Sequence, residues 1–279
     1  MADSVEVELQ KVPTASQHGV AGAIAGVISS VLTFPTDTVR ARLQVFGSGS
    51  MKYKGGTISI IRGIMNEEGS RALFRGLTPT LCALAPSMCI FFSTYEYFKG
   101  VTNSHALSAC SSWMIMSTAT NPLWVAKLRL QTKPAEYARL RMVGTLKHVY
   151  RSEGAAGLFS GLRASWFGAS TVTIQMSLYE KLKASTTLPI PVSSALSMAV
   201  ASIMTYPYEV VRSRLQVGVD PSIMGACRSI MNSEAGWRGF YAGLRTSMLR
   251  LTLASGITFT LYESILKTLS QADTDSQRL

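Results

Sequence analysis

Six stretches of the chain are nearly free of charge, and charged connections separate them. The stretches are 19–36, 76–95, 100–126, 164–179, 184–208 and 246–262, and five of them contain no Asp, Glu, Lys or Arg. A helix needs about 20 residues to cross a bilayer. The runs are near that length, with the fourth short, so six membrane-spanning helices are expected. They are rich in Ser, Thr and Gly, which suits helices with one face on lipid and the other on a water-filled path. Six buried helices of a soluble α-solenoid are the competing reading. It is disfavoured because such helices keep charge on their exposed face.

The connections alternate in length and charge. The segments 40–75, 127–163 and 212–245 carry seven, eight and five Lys/Arg, whereas those around 99–105 and 181–191 are short and carry few. This asymmetry places the long segments on the positive-inside face. An even number of spans puts both termini on the other side.

The pattern repeats. Pro35, Pro122 and Pro207 lie 87 and 85 residues apart, in FPTDTVRARLQ, NPLWVAKLRLQ and YPYEVVRSRLQ. Two residues after each proline come Asp37, Trp124 and Glu209. Five after come Arg40, Lys127 and Arg212, seven after Arg42, Arg129 and Arg214, and nine after Gln44, Gln131 and Gln216. About 25 residues further on stand EGSRALFRG (68–76), EGAAGLFSG (153–161) and AGWRGFYAG (235–243). In the third of these Ala235 takes the acidic place and Glu234 comes one residue early. YEYFK, YEKLK and YESILK close the even-numbered runs. Three elements recurring in one order indicate a two-helix unit in triplicate, which buries its polar face only when copies assemble.

Composition agrees. Hydrophobic residues make up 47% and charged residues 15% of the 279, and the mean hydropathy is +0.21. A soluble domain usually carries about 25% charged residues. The net charge of +11 favours anionic partners. Cys82, Cys89, Cys110 and Cys227 form no CxxC pair, and His18, His105 and His148 stand apart. Neither a disulfide framework, a metal site nor a cofactor is therefore expected. No Ser/His/Asp set or Gly-rich phosphate loop points to an enzyme; Gly63 and Gly225 are read as helix or turn residues. The start, MADSVEVELQK, has neither the apolar core of a secretory signal nor the Arg-rich character of a transit peptide. Gly22 and Gly26 form a small-xxx-small pair suited to close helix contact. Their equivalents Ala109/Trp113 and Ser194/Met198 do not, so tight packing is not expected to be threefold.

Together these motifs resemble the mitochondrial carrier family, over about residues 15–270. The resemblance implies an all-α membrane protein: three tandem two-helix repeats (15–100, 101–185 and 186–270) in a threefold pseudosymmetric barrel with a central cavity, between short polar tails 1–14 and 271–279. It further implies odd helices kinked at Pro35, Pro122 and Pro207, and a matrix-side gate of Asp37, Arg40, Trp124, Lys127, Glu209 and Arg212. In that gate Asp37 pairs with Lys127 and Glu209 with Arg40, braced by Gln44, Gln131 and Gln216. The third pair would need an acid at Trp124 to meet Arg212, so Trp124 is expected to fill the place by packing, with its indole over Arg212. On the cytoplasmic side Glu96, Lys99, Glu180, Lys183 and Glu263 form the counterpart gate, with pairs Lys99–Glu180 and Lys183–Glu263. There Leu266 holds the basic position and Lys267 falls one residue late.

Arg250 interrupts the sixth run near its middle. A charge inside a membrane run is costly and usually faces a cavity or a ligand, and arginine suits a phosphate or carboxylate. By resemblance it is a substrate contact, with Phe167–Gly168 and Ala83, followed by Pro86, as the counterparts on helices four and two. Phe167 could stack on a planar ring. Pro-x-Trp-x-x-Lys-x-Arg in the second repeat is similar to the branch that carries pyrimidine nucleotides, NAD, FAD and folate.

The expectation is therefore exchange of an anionic nucleotide or coenzyme across the mitochondrial inner membrane by alternating access. The solute would be small and anionic with a planar heterocycle. Other partners would be membrane lipid, with cardiolipin at the acid–Gly elements, and no nucleic acid, and the protein would be a monomer. Open alternatives are a peroxisomal nucleotide carrier, a carboxylate or amino-acid carrier, and a dissipative uncoupler-type pathway. A soluble solenoid binding nucleic acid through its basic loops would be excluded by a need for detergent.

Overall fold

The computed structural model describes residues 15–47, 55–102, 104–137, 140–185, 190–233 and 235–276. The N-terminal tail 1–14 and Glu234 lie outside the described residues. Eleven α-helices account for most of them: α1 (Ala15–Phe46), α2 (Thr57–Glu68), α3 (Leu77–Thr102), α4 (His105–Thr132), α5 (Pro134–Tyr137), α6 (Met142–Leu158), α7 (Leu162–Trp166), α8 (Gly168–Ser185), α9 (Ile190–Val217), α10 (Ile223–Met231) and α11 (Leu244–Ser276). Two 3-10 segments, Ser70–Phe74 and Gly236–Tyr241, precede α3 and α11. Each repeat thus holds a long odd helix, a short connecting helix and a second long helix.

The long helices outrun the uncharged runs. α1, α4 and α9 continue by about three turns beyond their prolines, so the charged motifs are helical. Pro35, Pro122 and Pro207 all lie inside unbroken helices. Each proline removes one backbone donor and leaves the carbonyl four residues earlier without its helical partner. The fourth span is the exception in continuity. It breaks at Phe167, where Phe167 N–H donates to Ala164 O and Ser170 N–H to Phe167 O in a tight turn. By length and mean hydropathy, Ala21–Phe46 and Ser70–Thr102 are long and apolar enough to cross a membrane. The other long helices dilute their apolar faces with Ser, Thr and Gly.

The connecting helices are placed by their apolar faces. Each buries two positions four apart: Ile60 and Ile64 in α2, Thr145 and Val149 in α6, and Ala226 and Ile230 in α10. Ile60 and Ile64 pack with Val39 and Leu43 of α1, Val149 with Leu130 of α4, and Ile230 with Val210 and Leu215 of α9. The chain divides into two compact units, one comprising Phe34–Leu249 and the other the segments before and after it. In the first, α3 packs along α4 and α8 along α9. In the second, Ser29 Oγ donates to Ala254 O at 3.0 Å.

The buried stripe on the odd helices differs from the expected one. Gly22 and Gly26 are only half-buried, and a Cβ added at either would meet no atom within 4 Å. The buried positions lie one residue earlier and recur at every fourth residue. They are Ala21, Ala25, Ser29 and Thr33 in α1, Ser108, Ser112, Met116 and Thr120 in α4, and Ser193, Ser197, Ala201 and Thr205 in α9. A buried stripe, made of small residues apart from Met116, therefore recurs in all three odd helices, where Gly22 and Gly26 suggested a face particular to the first. The threonines at the end of each stripe return their hydroxyls to the carbonyl four residues back, at 2.7–2.8 Å. Those internal bonds make a polar side chain compatible with a buried face.

Candidate functional site: the charged ends of the odd helices

Beyond the three prolines, the last turns of α1, α4 and α9 interlock in cyclic order. Lys127 Nζ lies 2.7 Å from Asp37 Oδ2, joining the second repeat to the first. Arg40 Nη2 donates to Glu209 Oε2 at 2.6 Å, joining the first to the third. By register the third place in the cycle belongs to Trp124 and Arg212, and among the described residues Arg212 has no carboxylate within 4.0 Å. The described cation–π contact of Trp124 is with Lys127, whose Nζ stands 5.1 Å from the ring centroid. The expected stacking on Arg212 is therefore not made. A lysine three residues ahead on the same helix face reaches the indole first, a contact worth about 0.5–2 kcal/mol.

The glutamines act unequally. Gln131 Nε2 reaches both Asp37 Oδ2 and Thr38 Oγ1 at 3.3 Å, next to the Asp37–Lys127 pair. Gln44 donates to Tyr206 Oη at 3.2 Å and Gln216 to Asn121 Oδ1 at 3.2 Å. Both acceptors are the residues immediately before a proline, so these two bind helix to helix rather than bracing a carboxylate.

A second ring, which the motif reading did not resolve, runs through the bases seven residues after the prolines. Arg42 Nε donates to Gln131 O at 2.9 Å, Arg129 Nε to Gln216 O at 3.1 Å, and Arg214 Nε to Gln44 O at 3.5 Å. Each arginine thereby ties its own repeat to the next. The acids of the acid–Gly elements hold two of them: Glu68 grips Arg42 by both carboxylate oxygens, one at 2.9 Å, and also takes Arg75 at 3.2 Å. Glu153 takes the fully buried Arg129 at 2.5 and 2.7 Å. Hydrogen bonds from these guanidiniums hold both carboxyl groups below the usual carboxylate range. In the third repeat Ala235 provides no acid, and Arg214 turns to Asp220 at 3.8 Å and Ser229 Oγ at 3.4 Å.

The glycines that end these elements explain the close fit. Gly76, Gly161 and Gly243 have φ of +89°, +71° and +83°, a region L residues rarely enter. A Cβ at Gly76 would come 3.0 Å from Lys127 O, at Gly161 2.7 Å from Gln216 Cγ, and at Gly243 3.3 Å from Arg40 O. Each contact is with the odd helix of the following repeat. The even helices α3, α7 and α11 start directly after these glycines.

The other predicted residues are placed differently. Glu96, Lys99, Glu180, Lys183 and Glu263 are all exposed, and the expected Lys99–Glu180 pair is not made among the described residues. Glu96 and Lys99 line an open recess with Gly100 and His105, where Tyr95 Oη and His105 Nδ1 are 2.9 Å apart. Of the expected substrate contacts, Ala83 is 0% exposed and Gly168 is buried against the Trp113 indole. Neither offers surface to a solute; both are packing positions, where a small residue lets helices approach. Phe167 is 63% exposed at the break in the fourth span, and Arg250 is half-buried on α11.

A triplicated helix pair whose charged ends lock by alternating carboxylates and bases, with exposed charges on its even helices, is the construction of a membrane solute carrier. The consecutive stretches 11–105, 100–189 and 184–273 each match the family described as mitochondrial carrier protein, and the chain belongs to that family. It is a transport protein and not an enzyme. Nicotinamide adenine dinucleotide transporter 2, mitochondrial, of Arabidopsis thaliana is 34% identical over 283 residues, covering 88% of this chain and 78% of the relative. Nicotinamide adenine dinucleotide transporter 1, chloroplastic, of the same organism is 34% identical, covering 89% and 90%. Solute carrier family 25 member 33 of Bos taurus is 30% identical, covering 89% and 93%.

Proposed function

We propose that this carrier exchanges an anionic nucleotide or nucleotide-like coenzyme across the mitochondrial inner membrane by alternating access. The observation that carries the substrate class is the similarity, over nearly the whole chain, to two transporters named for nicotinamide adenine dinucleotide. The charge of Arg250 and the exposed ring of Phe167 suit an anion bearing a planar heterocycle. Lipid, including cardiolipin at the acid–Gly elements, and a monomeric state complete the reading.

The gate supports alternating access. Ion pairs at a membrane protein's core are poor glue, because desolvation offsets most of their attraction, so two arrangements of similar free energy can interchange. In the conformation seen, Asp37–Lys127 and Glu209–Arg40 are closed while Lys99 and Glu180 stand apart, which corresponds to a state shut on the matrix side. A solute that binds the intermediate best would bias the exchange. Purified protein in liposomes is expected to exchange NAD or pyrimidine nucleotides, and those compounds should raise its unfolding temperature. Stabilisation by carboxylates alone would overturn the substrate class, and fractionation to another organelle would overturn the location.

A further inference from the structure

We propose that Arg212 is an oxyanion-binding residue, which takes a phosphate group where its two counterparts take a carboxylate. The inference deepens the nucleotide reading and rests on it for the identity of the solute. Its basis is an asymmetry in the gate. Arg40 and Lys127 each hold a carboxylate at 2.6 and 2.7 Å. Arg212 holds the same register position in the third repeat, with no carboxylate within 4.0 Å among the described residues. Its Nε is buried and has no hydrogen-bond acceptor among the described residues. Glu209, one turn back on α9, is engaged by Arg40, and the groups acting on Arg212 are Tyr208, that spoken-for carboxylate and the repelling Arg40 guanidinium.

An unpartnered cation is costly to bury, and Arg212 keeps part of its surface exposed, so a solute anion can reach it. The surroundings supply a second donor. Tyr208 is four residues before Arg212, hence on the same face of α9. Its oxygen accepts from Thr171 Oγ1 at 3.5 Å, and its hydroxyl hydrogen makes no bond among the described residues. A guanidinium with free N–H groups beside a phenolic O–H fits a phosphate oxyanion, acceptor-rich and able to take bidentate bonds. Trp124 is the condition for this: an acid at that position would neutralise Arg212 as Glu209 neutralises Arg40.

The test uses the intact purified protein and inorganic pyrophosphate and phosphate as probes, with binding read from thermal stabilisation. Arg212→Gln and Trp124→Asp should each weaken pyrophosphate binding about tenfold, the first by removing the cation and the second by supplying a competing carboxylate. Arg212→Lys should keep part of the affinity. Equal stabilisation by inorganic phosphate would identify a free anion as the occupant, whereas a requirement for the diphosphate would identify the solute's own phosphates. Unchanged pyrophosphate affinity in folded Arg212→Gln and Trp124→Asp, or no binding by the unaltered protein, overturns the proposal. Nucleotide exchange in liposomes is scored separately. Arg212-dependent pyrophosphate binding without nucleotide exchange would sink the nucleotide reading alone. Exchange with Arg212-independent binding would sink the oxyanion site alone.

Discussion

At Gly161 the space for a Cβ is already occupied by the next repeat. Its φ of +71° adds strain for any other residue, of about 1–3 kcal/mol. Gly161→Ala should therefore lower the unfolding temperature by several degrees, more than Gly243→Ala. The two closest approaches are 2.7 and 3.2 Å, and the latter neighbours include the Leu43 Cβ and Tyr206 hydroxyl. The arginine ring makes a parallel case. Arg129 is fully buried and doubly bonded to Glu153, whereas Arg214 meets Asp220 only at 3.8 Å. Arg129→Leu should cost about 2–3 kcal/mol and Arg214→Leu clearly less, as read by thermal unfolding in detergent. Because Glu68 and Glu153 titrate below their ordinary value of 4.5 in the folded protein, their contribution is complete above that value. It is lost as pH falls below it through the depressed native values. Acid unfolding curves of Arg129→Leu should be flatter in that range than those of the unaltered protein.

The odd helices show what an element needs to be read correctly. The triplicate motif could be read from the proline and charges, because helical period and repeat spacing coincide there. The packing face could not be taken from Gly22 and Gly26, since a glycine pair marks room for contact but not its direction. The direction follows from the buried hydroxyls and alanines one residue earlier, visible only when the three copies are aligned on their prolines. Two substitutions separate the registers. Ser112→Leu, at a fully buried position, should overpack α4 and destabilise by about 1–3 kcal/mol. Gly26→Ala should be neutral or stabilising by about 0.4–1 kcal/mol, since its Cβ meets nothing and the helix gains propensity. If Gly26→Ala destabilises the protein and Ser112→Leu does not, the glycine face is the packed one. The break at Phe167 was legible only as a short fourth run. Its tight turn depends on Gly168 lying against Trp113, a contact between residues over fifty positions apart.

For the molecule as a whole, the consequential position is Trp124. In the proposed gate two ion pairs join the odd helices where the repeat provides places for three, so the closed state forgoes one attraction that a complete gate would have. A carrier works only if its closed and open arrangements stay within reach of one another, and a partly buried pair worth about 1 kcal/mol would change their ratio roughly fivefold. Trp124→Asp would add that pair by giving Arg212 the partner that Arg40 and Lys127 already have. It would also remove the indole from Lys127. The closed state should gain population, and exchange should slow because opening now breaks three pairs. With Arg212→Gln added, the new acid has no partner, so the rate should not fall through gate closure. The measurement is the initial exchange rate in liposomes for the single and double variants at matched protein content. Labelling of Lys99→Cys by an impermeant thiol reagent, in a background without other reactive cysteines, reports the state. Faster labelling with slower exchange in Trp124→Asp is the expected outcome. Unchanged labelling and exchange would mean that position 124 merely fills space, and that the gate is balanced by its other two pairs alone.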